Sequence, residues 1–199
     1  GGNEDGRNTG ERLLVDPRDG DVLWLGTNNR GLWRSSDRAQ TWARVDSFVP
    51  TGVTLLWIDP LQTAGAETSQ TIYAGIATTS GPSLQRSRDG GATWAAVPGA
   101  PSGSMPQHVD YAPVAGARYL FFAYANALGP NGATAGAVWR LDLDLDQWTN
   151  VTPAPGAWGW GGVSVDARDT SAVVASTFDR WGPRDEIYRS TDAGVSWTP

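Results

Sequence analysis

The chain has 199 residues, a formal net charge of −6 with all 15 basic residues arginine, and no cysteine. Its length allows a sizeable core, while the acidic balance without any basic run argues against a nucleic-acid partner. Without cysteine there is neither a disulfide framework nor a thiolate metal site, and no apolar run is long enough to span a membrane as a helix.

There are 25 glycines and 11 tryptophans, and no long helix-period segment. That composition points to many short strands joined by tight turns. The sequence does not begin with Met and shows no signal peptide, so it is expected to be a processed product or a piece of something longer.

"GGNEDGRNTG" at the start reads as a linker. Four similar units follow. First strands are expected in "RLLVDP" (12–17), "TLLWIDP" (54–60), "HVDYAP" (108–113) and "VSVDA" (163–167). Second strands follow in "DVLWLGT", "TIYAGIA", "RYLFFAY" and "SAVVAST", and third strands in "GLWRSS", "SLQRSR", "AVWRLD" and "EIYRST". A turn motif comes next, and a fourth strand starts at Trp42, Trp94, Trp148 or Trp197. These tryptophans recur about every 50 residues, which is the length of a four-stranded β-propeller blade. The expected fold is therefore an all-β propeller, one partial domain over 1–199, with blades at 12–46, 54–98, 108–152 and 162–199. Nothing resembles a closing strand, so an open part of a larger ring is preferred to a closed four-bladed propeller.

The turn motif stands as "RSSDRAQTW", "RSRDGGATW" and "RSTDAGVSW", and is degenerate in "RLDLDLDQW". An acid flanked by hydroxyls and an aromatic looks like an active site, but three copies at one period look like architecture. Asp37, Asp89 and Asp192 can accept from backbone N–H groups just downstream, as in Asx-turns. Ser35, Ser87 and Ser190 stand two residues before them. Gly91 and Gly194 can supply positive φ, whereas Ala39 occupies that position in the first copy and predicts a different turn or a strained residue. The motif is read as a structural turn on the rim away from any ligand.

The turn is similar to the Asp-box of sialidases, sortilin-type receptors and glycoside hydrolase family 74. Four segments narrow the resemblance to the N-terminal propeller of family 74 xyloglucanases: "GGNEDGRNTGERLLVDPRDGDVLWLGTNNRGLWRSSD", "SGSMPQHVDY", "GPNGATAGAVWRLDLDLDQWTNVTP" and "WGWGGVSVDARDTSAVVASTFDRWGPRDEIYRSTDAGVSWTP". They stand in the family's order and span essentially the whole chain. The resemblance implies a secreted, inverting endo-β-1,4-glucanase acting on xyloglucan, with two seven-bladed propellers facing a common cleft. It implies no cofactor and no metal. It also implies a general base in a "TDIGG"-like segment and a general acid in the second propeller. Neither is present, and inversion needs both carboxyls. No catalytic residue is therefore assigned, and the chain is expected to be inactive alone. The expected partners are the polysaccharide, the missing blades and the second propeller.

Blade geometry places the loops between second and third strands, and the linkers between blades, on one face. Trp24, Trp33, Trp42, Trp57, Trp94, Trp139, Trp148 and Trp197 fall at strand positions and read as packing. Trp158, Trp160 and Trp181 fall in loops of the first face and read as a sugar platform, because a flat ring can cover a pyranose. Family members often carry a second Trp where this chain has Gly182, which implies a weaker grip on the product side. Asn28, Asn29, Arg30, His108, Asn126 and Asp185 are candidates for bonds to sugar hydroxyls. With one histidine there is no Ser/His/Asp triad and no histidine metal site. "DLDLD" (142–146) lacks the Gly and Glu of a calcium loop and reads as a strand with one wet face. "GWGGVS" (159–164) has no lysine and is not a phosphate loop. Two alternatives stay open: a sialidase-type exo-glycosidase using arginines such as Arg7, Arg12, Arg30 and Arg180, and a non-catalytic Asp-box module for binding or assembly.

Overall fold

A computed structural model describes residues 10–60, 68–154, 158–178 and 186–199. These contain strands, turns and bends, with no helix. The chain divides into two compact units, Gly10–Ser102 and a second that includes Gly103–Pro199.

The first unit holds two antiparallel sheets of four strands each. One is β1 (Leu13–Val15), β2 (Leu23–Gly26), β3 (Leu32–Ser35) and β4 (Ala43–Arg44); the other is β5 (Val53–Ile58), β6 (Ile72–Ile76), β7 (Leu84–Ser87) and β8 (Ala95–Ala96). Each sheet is a meander in chain order, because each connection is a hairpin. Alternation puts Trp24, Leu32 and Phe48 into the core with Leu56, Ile58, Ile72, Ala74 and Ile76. The Asp16 carboxylate is buried and accepts from the Ser69 amide at 2.8 Å and its hydroxyl at 2.6 Å.

The second unit holds β9 (Met105–Val114), β10 (Ala117–Ala125), β11 (Gly136–Asp142) and β12 (Gln147–Asn150), then β13 (Trp160–Val165), β14 (Val173–Thr177) and β15 (Ile187–Ser190). The last sheet has three strands, with a lone bridge between Arg189 and Thr198 where Arg34 pairs with Ala43 in the first sheet. Phe121, Ala123, Val138, Trp160, Val163, Val173 and Ala175 form its core.

The strand order follows the expected repeat, with three differences. The fourth strands β4 and β8 begin one residue after the marker Trp, not at it. β9 and β13 begin earlier than the hydrophobic pattern indicates, at Met105 and Trp160, and β13 so takes in Trp160. "DLDLD" is not a strand: β11 ends at Asp142, β12 begins at Gln147, and the Asp142 carboxylate accepts from the amides of Asp144 and Leu145. Leu143 is buried and Leu145 exposed because they sit on a tight hairpin turn, not on one strand face.

Candidate functional site

The three intact turn motifs are closed on themselves. The Ser35, Ser87 and Ser190 hydroxyls each donate to the motif Asp at 2.8 Å and accept the backbone amide of Ala39, Gly91 or Gly194 at 2.8–2.9 Å. Asp37, Asp89 and Asp192 then accept both the amide and the hydroxyl of Thr41, Thr93 or Ser196 at 2.5–2.8 Å. Each turn is also tied to the preceding β-hairpin turn, through Arg38 N–H to Asp21, Gly90 N–H to Gln70 and Ala193 N–H to Ser171.

Hydrogen bonds from the Thr93 and Ser196 side chains hold the Asp89 and Asp192 carboxyls down at about 2. The Thr41 hydroxyl lowers Asp37 in the same way. Carboxylates fixed as anions with their lone pairs already used make poor general acids near neutral pH. The Trp94 indole donates to Gly91 O at 3.2 Å and packs edge-on against Phe48 at 5.0 Å. Trp197 packs against the core of the second unit. Ala39 has φ +66° where Gly91 and Gly194 have +89° and +83°, so the first turn keeps the same path at a cost in strain.

At the opposite ends of the strands lie the loops with the candidate ligand groups. In the first unit, Gly31 N–H donates to Thr51 O, Val53 N–H to Thr27 O and Ala77 N–H to Gly52 O, tying the loops and linker together. Asn28, Asn29 and Arg30 are exposed there. Arg12 donates to the Asn28 side chain, and the two line a shallow cleft of about 520 Å³ with Glu11, Leu13 and Leu25. The Arg30 carbonyl accepts from the Trp33 indole at 3.1 Å, which pins the loop backbone and leaves the guanidinium outside.

In the second unit the corresponding end gathers Asn126, His108 and Trp158. The Asn126 side chain closes its own loop: Nδ2 donates to Thr134 Oγ1 at 2.8 Å, and Oδ1 accepts from the amides of Thr134 and Ala135. It is a loop-closing residue, contrary to the expectation of a group open to sugar. His108 is half-buried in β9 opposite Ala123. Trp158 is 37% exposed, before the start of β13. Trp160 corrects the sequence reading: it is 0% exposed, inside the core, with its ring 5.6 Å from that of Tyr188 and tilted 53° to it. β13 starts at that residue, so its ring turns inward. Trp181 and Asp185 lie outside the described residues.

Two groups here went unnoticed in the sequence. Phe178 is buried over Gly161 and Gly159, and a Cβ at Gly161 would lie 2.6 Å from its ring. The glycines of "GWGG" make room for that ring. Buried Gln107 donates to Met105 O and Ala127 O, holding the long loop to β9. Gln107 is also a bulged residue: the pairing skips it in β9, Thr54 in β5 and Gly161 in β13. Three first strands thus carry a bulge at the same place, at the loop end, where bulges commonly re-aim side chains. Only the glycines signalled this, since a bulge leaves no mark in hydrophobic alternation.

No protein-family model matches the sequence. A xyloglucanase from a Paenibacillus species is 40% identical over 220 aligned residues, covering 100% of this chain and 21% of that protein. Among solved structures, the GH74 xyloglucanase from Xanthomonas campestris superposes with a TM-score of 0.89 at 37% identity, covering 100% of this chain and 31% of the other. A GH74 enzyme from Niastella koreensis gives a TM-score of 0.89 at 32% identity over 98% of this chain and 30% of its own. The chain thus spans less than a third of the length of these relatives.

Proposed function

This chain belongs to glycoside hydrolase family 74 by sequence and fold together, and we propose from that premise that it is part of a xyloglucan-hydrolysing endo-β-1,4-glucanase. The observation that carries this reading is the match of the whole of this chain to part of a xyloglucanase at 40% identity, supported by the superposition on part of a GH74 xyloglucanase. The contribution of the chain is substrate-binding surface. Trp158 offers an exposed ring, and Asn28, Asn29 and Arg30 offer polar groups at the loop end of the first unit. His108 and Trp181 complete the proposed set. The parent enzyme works outside the cell, where its polysaccharide is, and supplies further blades and a second propeller.

Catalysis is not a property of the chain alone. An inverting glycosidase needs two carboxyls flanking the scissile bond with a water between. The motif aspartates are self-bonded, and the sequence has no "TDIGG"-like segment.

Affinity electrophoresis of the chain in gels containing xyloglucan, with sialyl-lactose and a neutral polymer as comparisons, tests the reading. Retardation confined to xyloglucan, weakened about threefold or more by Trp158→Ala, is expected. No retardation in xyloglucan, or equal retardation in the neutral polymer, counts against it. Release of reducing sugar by the chain alone would show that the catalytic pair has been overlooked.

A further inference from the structure

The sequence contains one Asn-Gly pair, Asn131-Gly132 in "GPNGATAG". It lies in the turn 130–132, at the tip of the loop between β10 and β11, and both residues are exposed. The base of that loop is anchored. Asn126 N–H donates to Ala135 O at 3.0 Å, the Asn126 side chain holds Thr134, and Gln107 donates to Ala127 O at 3.1 Å. Ala133 is fully buried against Ala125 and Phe178. The tip therefore meets solvent while the rest of the loop is held.

An asparagine side chain and the next backbone nitrogen can close a five-membered ring. The closure needs backbone torsions that a Cβ on the following residue hinders. Gly132 has no Cβ, and its N–H donates to no acceptor among the described residues. The attacking atom is thus unengaged, and water reaches it.

The fold holds back the comparable pairs. Gly90 N–H, after Asp89, donates to Gln70 O at 2.9 Å, and the Asp89 carboxylate is taken up by Thr93. Asp19 before Gly20 offers a carboxylate, not an amide, and accepts from the Asp21 amide at 3.0 Å. Asn126 Oδ1 accepts from the amides of Thr134 and Ala135, and the next residue is Ala127. Asn150 Oδ1 accepts from the Thr152 hydroxyl at 2.6 Å, and the following Val151 N–H is spent on Val138 O at 2.9 Å.

We propose that Asn131 is a site of spontaneous deamidation, which turns the tip of the β10–β11 loop from neutral to anionic. The Gly132 nitrogen loses its proton to solvent base and attacks Asn131 Cγ. A C–N bond forms, the Cγ–Nδ2 bond breaks, and the side-chain nitrogen leaves as ammonia with a proton from solvent. One water then opens the cyclic imide. Opening at Cγ gives aspartate, and opening at the backbone carbonyl gives isoaspartate, with the β-carbon inserted into the main chain. One water enters, one ammonia leaves, and nothing is oxidised or reduced. The product carries a new carboxylate two residues before the buried Ala133. The inference does not rest on the xyloglucan reading.

Ageing the folded chain in mildly alkaline and mildly acidic buffer, followed by tryptic digestion and mass spectrometry, tests it. Cleavage after Arg118 and Arg140 gives one peptide that carries both Asn126 and Asn131, so each is the other's control. The expected result is a mass gain of OH for NH2 on fragments containing residue 131, growing with time and faster in alkali. Asn126 should react at least about tenfold more slowly. Asn131→Gln, which lengthens the ring, and Gly132→Ala, which adds the Cβ, should each slow the reaction about tenfold or more. Gly132 does not have a positive φ, and its new methyl would meet only Ala127 Cβ at 3.2 Å, so this variant should fold. Isoaspartate is counted by methyl transfer from S-adenosylmethionine with an isoaspartyl methyltransferase, and the Asn131→Gln chain should give none from this peptide. Deamidation at Asn131 no faster than at Asn126, or unchanged by Gly132→Ala, would overturn the proposal.

Discussion

The Asp16 carboxylate binds both donors of Ser69, its amide at 2.8 Å and its hydroxyl at 2.6 Å, across 53 residues of chain. It also accepts from the Arg18 amide at 2.9 Å. The two bonds to Ser69 are buried, so water cannot take over there when the carboxylate is removed. Asp16→Ala is expected to cost about 2–3 kcal/mol in urea unfolding, because it leaves buried donors unsatisfied. A loss below about 0.5 kcal/mol would show that this link is redundant.

Gly91 carries two constraints at once, a φ of +89° and the Trp24 ring at its α-carbon. Gly91→Ala should therefore destabilise by about 3 kcal/mol, from left-handed strain and overpacking together. Gly194→Ala has more room and should cost about half as much. Equal losses in thermal or urea melts would mean that the Trp24 contact does not matter.

Ala39 takes the same left-handed path with a side chain attached, at φ +66°. Ala39→Gly relieves the strain but adds freedom to the unfolded chain. The net expectation is a gain of about 0.5–1 kcal/mol, measured in urea.

Acid should reach the turn motifs late. The Asp89 and Asp192 carboxyls sit at about 2 against an ordinary 3.8, first because of their hydroxyl partners Thr93 and Ser196. Their hydrogen bonds contribute fully above the unfolded value and are lost as pH falls through the folded one. Urea midpoints should fall between about pH 4 and pH 2, and Asp89→Asn should flatten that fall. A profile unchanged by Asp89→Asn would show that other carboxylates govern it.

Trp158 and Trp160 should separate binding from stability. Trp160→Ala empties a core site and is expected to cost about 3–5 kcal/mol. Trp158→Ala should leave stability within about 0.5–1 kcal/mol while weakening retention in xyloglucan. Loss of stability in both would place Trp158 in the core as well.

The repeat, its register and its strand order were legible in the sequence, because each depends on contacts over a few residues. A Ser-x-Asp turn followed by a hydroxyl closes with bonds between residues two and four apart, wherever it stands. Alternation within a strand is equally local. The position of Ala39 even marked where the backbone would be strained. What local reading could not decide was which face a side chain meets at a strand end.

Trp158 and Trp160 stand two residues apart, and in sequence terms they were alike. One is exposed and the other is core, because β13 begins between them and bulges at Gly161. The fate of Asn126 likewise turned on a loop that folds back to Thr134. The sequence alone thus determined the blade pattern and its self-closed turns. Only the tertiary structure decided which aromatics stay outside, since burial depends on where a strand starts and on what packs over it, as Phe178 does over Gly161.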